Sequence, residues 1–230
     1  MNETARPVGP AVDPAPAGCP GPVMLSGRFG SVRRLDAKRD GVSLWTALRG
    51  DDAVWTYMSY GPFADDPAFA AWLAEKEALN DPYAYAVLDL EGRALGWATL
   101  LAIRPTMRVI EVGSIVYSAA LQRTPLGTEG QFLLARYVFE TLGYRRYEWK
   151  CDALNAPSRR AALRCGFVFE GILRQHMIVK GRNRDTAYFS MLDSEWPMRK
   201  AGFERWLAPE NFDKDGRQKL RLAALNGQEA

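Results

Sequence analysis

The sequence predicts an α/β protein with a mixed β-sheet. Segments with strand patterning and segments with helical patterning follow one another in the order β-α-α-β-β-β-α-β-α-β-β, which is an α/β layout. The apolar content of 47% in 230 residues is enough for a sizeable core. We expect one domain at residues 23–207, a disordered Pro- and Gly-rich segment at 1–22 and a polar tail at 208–230.

The first part of the domain combines one strand with two helices. Alternating residues predict a strand over Leu25–Leu35, and a short helix follows over Asp36–Arg49. The next segment, Trp55–Phe63, is an aromatic loop. A second helix begins at Asp65-Asp66-Pro67, because acidic residues and proline favour the first helical turn.

The middle of the chain contains the segment that matters most for function. Strands at Tyr83–Asp89 and Ala94–Ile103 precede a β-branched, buried strand at Val109–Ser118. A polar turn then leads into a helix that ends at Gly143. Free N–H groups and the helix dipole make such a helix N-terminus a site for an anion.

The last third alternates between strands and helices. A short strand at Tyr147–Cys151 is followed by a helix at Asn155–Arg164. Phe167–Val179 and Thr186–Asp193 then form a predicted hairpin, and Glu195–Leu207 forms a terminal helix.

Composition argues against several classes of protein. The net charge is +3, from 30 basic and 27 acidic residues, so we expect no nucleic-acid partner. No apolar run approaches the ~18 residues of a membrane span. Cys19, Cys151 and Cys165 lack metal-site spacing, so we expect no metal, no disulfide framework and a cytoplasmic protein.

Two motifs resemble those of a known family, the GNAT superfamily of N-acetyltransferases. The loop Q-x-x-P-x-G-T-E resembles its acyl-CoA site, with Gln122, Pro125 and Gly127 in the motif positions. Pro125 stands where the family has glycine and removes one N–H group from the phosphate cradle. Thr128-Glu129 is similar to the branch that contains the ribosomal-protein N-terminal acetyltransferases. The segments 155–158 (NAPS) and 166–171 (GFVFEG) resemble the family's N-x-x-S and G-F-x-x-E-G motifs.

The resemblance implies a more specific fold. It covers about residues 25–196 and implies a mostly antiparallel central sheet of about seven strands, flanked by helices. The fourth and fifth strands of the family splay apart, and pantetheine lies in the gap. The matching strands in this chain are Val109–Ser118 and Tyr147–Cys151.

The resemblance also implies an activity. It implies an N-acetyltransferase that moves an acetyl group from acetyl-CoA to a primary amine by direct attack in a ternary complex, releasing coenzyme A. The acceptor is a small-molecule amine or a protein N-terminus, and a homodimer is left open. The implied acyl-CoA-binding residues are Ile115, Val116, Tyr117, Gln122, Arg123, Thr124, Leu126, Gly127, Thr128, Asn155 and Ser158.

Three residues are candidates for proton transfer. Ser158 matches the family position that can protonate the departing thiolate, although a serine in the first helical turn also suits a cap. Glu111 can act as a base through water, or it can be a solvated glutamate at a strand start. His176 is the only histidine and has a suitable pKa, although a lone histidine is more often structural.

The sequence indicates the residues that contact the amine acceptor less clearly. An α-amine titrates near ~8 and a lysine near ~10.4, so a site without an obvious strong base suits an α-amine or a weakly basic small amine. Trp55, Tyr57, Tyr60 and Phe63 can frame the acceptor or pack as a lid. Lys180, Arg182 and Arg184 can be a solvated turn, or they can meet an acidic substrate or a second subunit.

Two alternative functions belong to other classes. One is a non-catalytic acyl-CoA-binding or interaction module with a decayed site, which Pro125 would signal. The other is a transferase with a cysteine nucleophile, Cys165 or Cys151, acting with His176.

Overall fold

An eight-stranded sheet forms the centre of the protein. The computed structural model describes residues 6–227. In space the strands follow the order β1-β2-β3-β4-β5-β6-β8-β7. Their bounds are β1 Met24–Ser26, β2 Ser31–Arg34, β3 Tyr83–Leu88, β4 Ala94–Arg104, β5 Val109–Tyr117, β6 Arg146–Asp152, β7 Val168–Val179 and β8 Arg182–Leu192.

The sheet is antiparallel except where β5 meets β6. These two strands pair in parallel from Val109 opposite Arg146 to Val112 opposite Trp149, and the pairing ends there. Both strands continue beyond it, β5 to Tyr117 and β6 to Asp152. The strands therefore separate toward their carboxyl ends, and the predicted fold class is confirmed.

Six α-helices cover the sheet. They are α1 Ala37–Leu48, α2 Asp66–Glu77, α3 Pro125–Arg136, α4 Ala156–Arg164, α5 Trp196–Leu207 and α6 Leu222–Leu225. Alternate residues of β3 belong to different cores: Tyr83, Tyr85 and Val87 pack with α3 and α5. Ala84, Ala86 and Leu88 pack with α1 and α2 on the opposite face. This division follows from the two-residue repeat of a strand that is buried on both faces.

Four helices begin as their sequences predict. Asp36, Asp65, Thr124 and Asn155 each accept a hydrogen bond from the backbone N–H three residues later. This contact satisfies one of the donors that the first helical turn leaves unpaired. The helices α1, α2, α3 and α4 therefore start at the residues where the polar caps place them.

The predicted first strand is two strands instead of one, which raises the strand count from about seven to eight. The chain turns at Gly27, whose N–H donates to the Gly30 carbonyl (2.9 Å). Buried Glu129 on α3 holds this turn, because its carboxylate accepts hydrogen bonds from the N–H groups of Arg28 (2.6 Å) and Phe29 (2.8 Å). Glu129 therefore has a structural role.

The terminal hairpin also differs from the prediction. Its second strand begins at Arg182 instead of Thr186. The turn consists of Lys180 and Gly181 with φ of 50° and 73°, and two successive residues of positive φ match the right-handed twist of the flanking strands. The strands can therefore pair up to the tip of the hairpin.

Parts of both terminal segments contact the rest of the protein. Within residues 1–22, Gly18 donates to the Leu142 carbonyl (2.8 Å) and Gly21 to the Tyr137 hydroxyl (3.0 Å). Within residues 208–230, Leu222 and Asn226 are buried. Residues 1–5 and 228–230, which the predicted disordered segment and polar tail include, lie outside the described residues. Over residues 6–227, no helix is both long and apolar enough to cross a membrane.

Replacing Glu129 with alanine should destabilise the protein. The variant leaves two backbone donors of the β1–β2 turn without their carboxylate acceptor, so the free energy of unfolding should fall by about 2 kcal/mol. Denaturant unfolding measures this change. Glu75→Ala on the exposed surface of α2 is the matched control and should change the free energy little. Equal stability of the two variants would show that the turn does not depend on Glu129.

Candidate active site

The start of α3 presents backbone donors without partners. Thr124 caps the helix, and its hydroxyl accepts from the Gly127 N–H (3.1 Å). Pro125 is the first helical residue and has no N–H group. Among the described residues, the N–H groups of Arg123, Thr124 and Leu126 form no hydrogen bond. The helix dipole adds to their attraction for an anion.

The side chains of two other predicted residues of this loop form hydrogen bonds within the protein. The Gln122 side chain donates to the Tyr117 carbonyl (2.7 Å), and the Thr128 hydroxyl accepts from Arg164 (2.9 Å). A Cβ atom on Gly127 would lie 2.7 Å from the Leu121 carbonyl oxygen, so close packing of the loop on α3 already requires glycine. Gly127 therefore has a structural explanation that involves no ligand.

The free edge of β5 begins with a bulge. Ser114 has a φ of 46°, and the pairing with β4 shifts between Gly113 and Val116. Val116 is fully buried, and the Tyr117 hydroxyl accepts a hydrogen bond from Gln131 (2.8 Å). Ile115 packs at the edge of the core. The side chains of Ile115, Val116 and Tyr117 thus serve packing, which leaves their backbone to face the gap.

Ser158 lies at the first turn of α4, beside β6. Its N–H donates to the Asn155 side chain (3.1 Å), and its hydroxyl oxygen accepts from the Trp149 indole N–H (3.0 Å). A hydroxyl can accept and donate at the same time, so the Ser158 O–H can still donate, and the Cys151 sulfur is a neighbouring acceptor. Sequence reasoning missed Trp149, although a largely buried indole N–H needs a partner.

Glu111 belongs to a buried ionic network. It stands directly opposite Glu148 of β6. Lys150 lies between the two carboxylates, with its Nζ 2.8 Å from Glu111 Oε2 and 2.9 Å from Glu148 Oε2. Arg146 extends the network to Glu148 (2.7 Å) and Glu170 (2.5 Å). Glu111 is only 8% exposed, so the interpretation as a solvated glutamate is wrong.

The two opposed carboxylates differ in basicity. Burial raises the pKa of Glu111, and the Lys150 ammonium opposes this effect only in part. Burial also acts to raise the pKa of Glu148, but hydrogen bonds from Arg146 and Lys150 outweigh it and the pKa falls. Glu111 is therefore the carboxylate of this pair that takes up a proton more readily.

His176 lies on the same face of the sheet as Glu111. Its Nδ1 is 3.0 Å from the Thr186 hydroxyl, and its ring centroid is 5.9 Å from that of Tyr188. The Tyr188 ring in turn lies 4.7 Å from Lys150 Nζ. Among the described contacts His176 and Glu111 do not touch directly, so they stand as two separate candidate bases on one face.

Three of the four aromatic loop residues pack into the core under α1 and α2. The Trp55 ring centroid is 5.3 Å from that of Phe63 and 6.1 Å from that of Tyr60. Burial raises the pKa of the Tyr60 hydroxyl. Tyr57 differs, because its hydroxyl donates to the Leu154 carbonyl at the end of β6 (3.2 Å).

The loop also reaches the terminal hairpin. Lys180 at the hairpin turn donates to the Trp55 carbonyl (3.0 Å). We call residues 55–63, with these two contacts, the loop bridge. It spans from α1 and α2 to the segment after β6 and the turn before β8, on the sheet face that carries Glu111 and His176.

The cysteines do not have the properties of nucleophiles. Burial raises the pKa of the Cys165 thiol to about 11, and burial also raises the pKa of Cys151. A nucleophilic cysteine needs a lowered pKa, so the cysteine-nucleophile alternative has no structural support. No cluster of three His, Cys, Asp or Glu side chains suited to a metal occurs within residues 6–227.

Comparison with known proteins identifies the family. Residues 32–168 match the family model described as an acetyltransferase (GNAT) domain. A GCN5-related N-acetyltransferase from Brucella melitensis is 45% identical, with 93% of this chain and 98% of that chain covered and a TM-score of 0.90. A probable acetyltransferase of the GNAT family from Chromobacterium violaceum is 44% identical, with 84% and 100% covered and a TM-score of 0.77. No curated protein matches.

The chain therefore belongs to the GNAT family of acetyltransferases. RimL, a ribosomal L7/L12 alpha-N-protein acetyltransferase, shares the fold with a TM-score of 0.65 at 16% identity, over 74% of this chain and 94% of that one.

Removing the cation between Glu111 and Glu148 should destabilise the protein in a pH-dependent way. Lys150→Met leaves two opposed buried carboxylates without their shared cation, so the free energy of unfolding should fall by about 3 kcal/mol at pH 7. The carboxylate pKa values then rise above those of the unfolded chain, and protonation favours the folded state. The loss should shrink as the pH falls toward 5.

Denaturant unfolding at both pH values measures this effect. Lys200→Met, which removes a half-exposed ion pair with Glu140, is the control and should change stability little at either pH. A loss for Lys150→Met that is independent of pH would contradict the electrostatic explanation.

Proposed function

We propose that this protein transfers an acetyl group from acetyl-CoA to a primary amine by direct attack in a ternary complex. The observation that carries the proposal is the gap between β5 and β6. The gap lies between unpartnered N–H groups at the start of α3 and a polar sheet face that carries Glu111 and His176.

The residues around the gap fit acetyl-CoA. The N–H groups of Arg123, Thr124 and Leu126 suit its pyrophosphate, and the unpaired edge of β5 at Ile115–Tyr117 suits its pantetheine amides. Asn155 stands at the opposite side of the gap. When bound, acetyl-CoA supplies an activated acetyl group as a thioester.

Ser158 is the proposed proton donor to the departing thiolate. The Trp149 indole N–H donates to its oxygen and orients the hydroxyl, which can then donate to the thiolate instead of the neighbouring Cys151 sulfur. Trp149 thus acts as a positioning residue.

Glu111 and His176 are the two candidates for the base that removes a proton from the amine. Burial raises the pKa of Glu111 and makes it a better proton acceptor than an exposed carboxylate, although the ion pair with Lys150 limits its freedom. His176 is exposed, and Thr186 fixes its Nδ1, which leaves Nε2 free.

The acceptor is an α-amine or a weakly basic small amine, including a protein N-terminus. At neutral pH an α-amine has a neutral fraction roughly a hundredfold larger than that of a lysine side chain, which suits a site whose bases are weak. We propose the cytoplasm as its location, because all three cysteines are free. A homodimer stays a prediction.

Acetyl-CoA should stabilise the folded protein. At a concentration of a hundred times its dissociation constant, a ligand that binds only the folded state adds ~2.7 kcal/mol, so the melting temperature should rise with acetyl-CoA and not with free acetate. No shift at saturating acetyl-CoA would contradict the proposal. A shift without thiol release over a library of amines would instead favour the non-catalytic acyl-CoA-binding module.

Replacing Ser158 with alanine should reduce turnover far more than stability. The loss of a positioned general acid lowers kcat by roughly 10²-fold. The fold loses only the acceptor for the Trp149 indole, at a cost of about 1 kcal/mol, because Asn155 still caps α4.

The measurements are kcat, with an amine found in the library, and a melting curve. Ser158→Cys retains a proton donor and should keep part of the activity, whereas Ser194→Ala at an exposed position should behave like the wild type. Wild-type turnover in Ser158→Ala would exclude the proposed proton donor.

A further inference from the structure

Arg184 is a cation without a partner. It is half-buried on β8, and its Nε is fully buried without a hydrogen-bond partner. Among the described residues, no carboxylate lies within salt-bridge distance of its guanidinium, and no other hydrogen bond involves its side chain. Partial burial of a charged group without compensation is unfavourable, so this guanidinium is ready to accept an anion.

Neighbouring carboxylates are already engaged. The Asp185 side chain accepts from the Gln175 N–H (2.7 Å) and from Asn183 Nδ2 (2.9 Å). Glu111 pairs with Lys150 at 2.8 Å. The protein therefore does not neutralise Arg184 through either residue, and an anion from outside can do so.

Arg184 lies on the acceptor side of the sheet. Ala187 and Phe189 of β8 point into the core with α3 and α5, so Thr186 and Tyr188 point to the opposite face. Arg184 precedes Thr186 by two residues on the same strand and therefore shares its face. Thr186 contacts His176, and the charge of Arg184 lowers the pKa of nearby Glu111 as a minor effect beside burial.

Of the three cations near the hairpin turn, Arg184 is the best placed to bind an anion. Lys180 is engaged by the Trp55 carbonyl, and Arg182 is exposed at the hairpin turn. Arg184 alone of the three combines partial burial, a free guanidinium and a position beside both candidate bases.

We propose that Arg184 binds a carboxylate of the amine acceptor. The inference rests on the proposed function and narrows its substrate class to amines that carry a carboxylate near the reacting nitrogen. The planar guanidinium presents parallel N–H donors that match a carboxylate in a two-bond contact. The carboxylate comes either from a free amino acid or from an acidic side chain at a peptide N-terminus.

A binding experiment with acetylated products tests the inference without turnover. The protein is saturated with coenzyme A and titrated by calorimetry with two matched pairs. N-acetylglycine and N-acetylglycinamide represent the free amino acid, and N-acetyl-Asp-Gly-amide and N-acetyl-Asn-Gly-amide represent the peptide. In at least one pair, the compound with the free carboxylate should bind roughly 10- to 100-fold more tightly than the uncharged amide compound. This is the range expected for a charge-assisted contact.

Two variants assign this preference to Arg184. Arg184→Met should abolish it, whereas Arg182→Met on the same strand should keep it. Absence of a preference in the wild-type protein, or a preference that persists in Arg184→Met, would overturn the inference. The amine library is a separate measurement: its failure removes the proposed transfer, and the calorimetry still decides whether Arg184 is a carboxylate site.

Discussion

The early end of the pairing between β5 and β6 is the constraint on which the candidate site depends. β6 is paired with β8 along its whole length, from Arg146 opposite Leu192 to Asp152 opposite Thr186. β5 is held on its other edge by β4, and the bulge at Ser114 changes its register there. Each strand is thus anchored on its outer side, and the gap persists without a contact across it. The backbone edge so exposed needs hydrogen-bond partners, which an amide-bearing ligand can supply.

The parallel pairing of β5 and β6 also determines how the charges are distributed. Because Ile110 and Val112 face one core, Glu111 must face the other side of β5. The parallel register brings it opposite Glu148, and Lys150 is needed to hold the two carboxylates together. The start of α3 is therefore rich in N–H donors, while the paired part of β5 and β6 carries an ionic network. This asymmetry suits a donor with phosphates on one side and a titrating acceptor on the other.

Local patterns in the sequence predicted the elements better than their contacts. The strand, turn and helix around Pro125 follow from short-range preferences, and so does the helix start at Asn155. The split of the first strand was not predictable, because it depends on Glu129, about a hundred residues away along the chain. The Lys150–Glu111 contact likewise depends on the register between β5 and β6, and the Trp149–Ser158 contact depends on how α4 packs beside β6, which no local pattern contains. The positions of helices and strands were therefore more predictable than the contacts between distant residues.

The loop bridge is fastened unevenly, and this has a kinetic consequence. Its base is buried through Trp55, whose carbonyl also accepts from Lys180, whereas Tyr57 is held by one hydrogen bond from its hydroxyl to the Leu154 carbonyl. One such bond contributes about 1 kcal/mol, so the Tyr57 side would be detached in roughly 15% of molecules at any moment. Acceptor and product could then exchange through thermal opening of this side alone, while the aromatic base keeps its place.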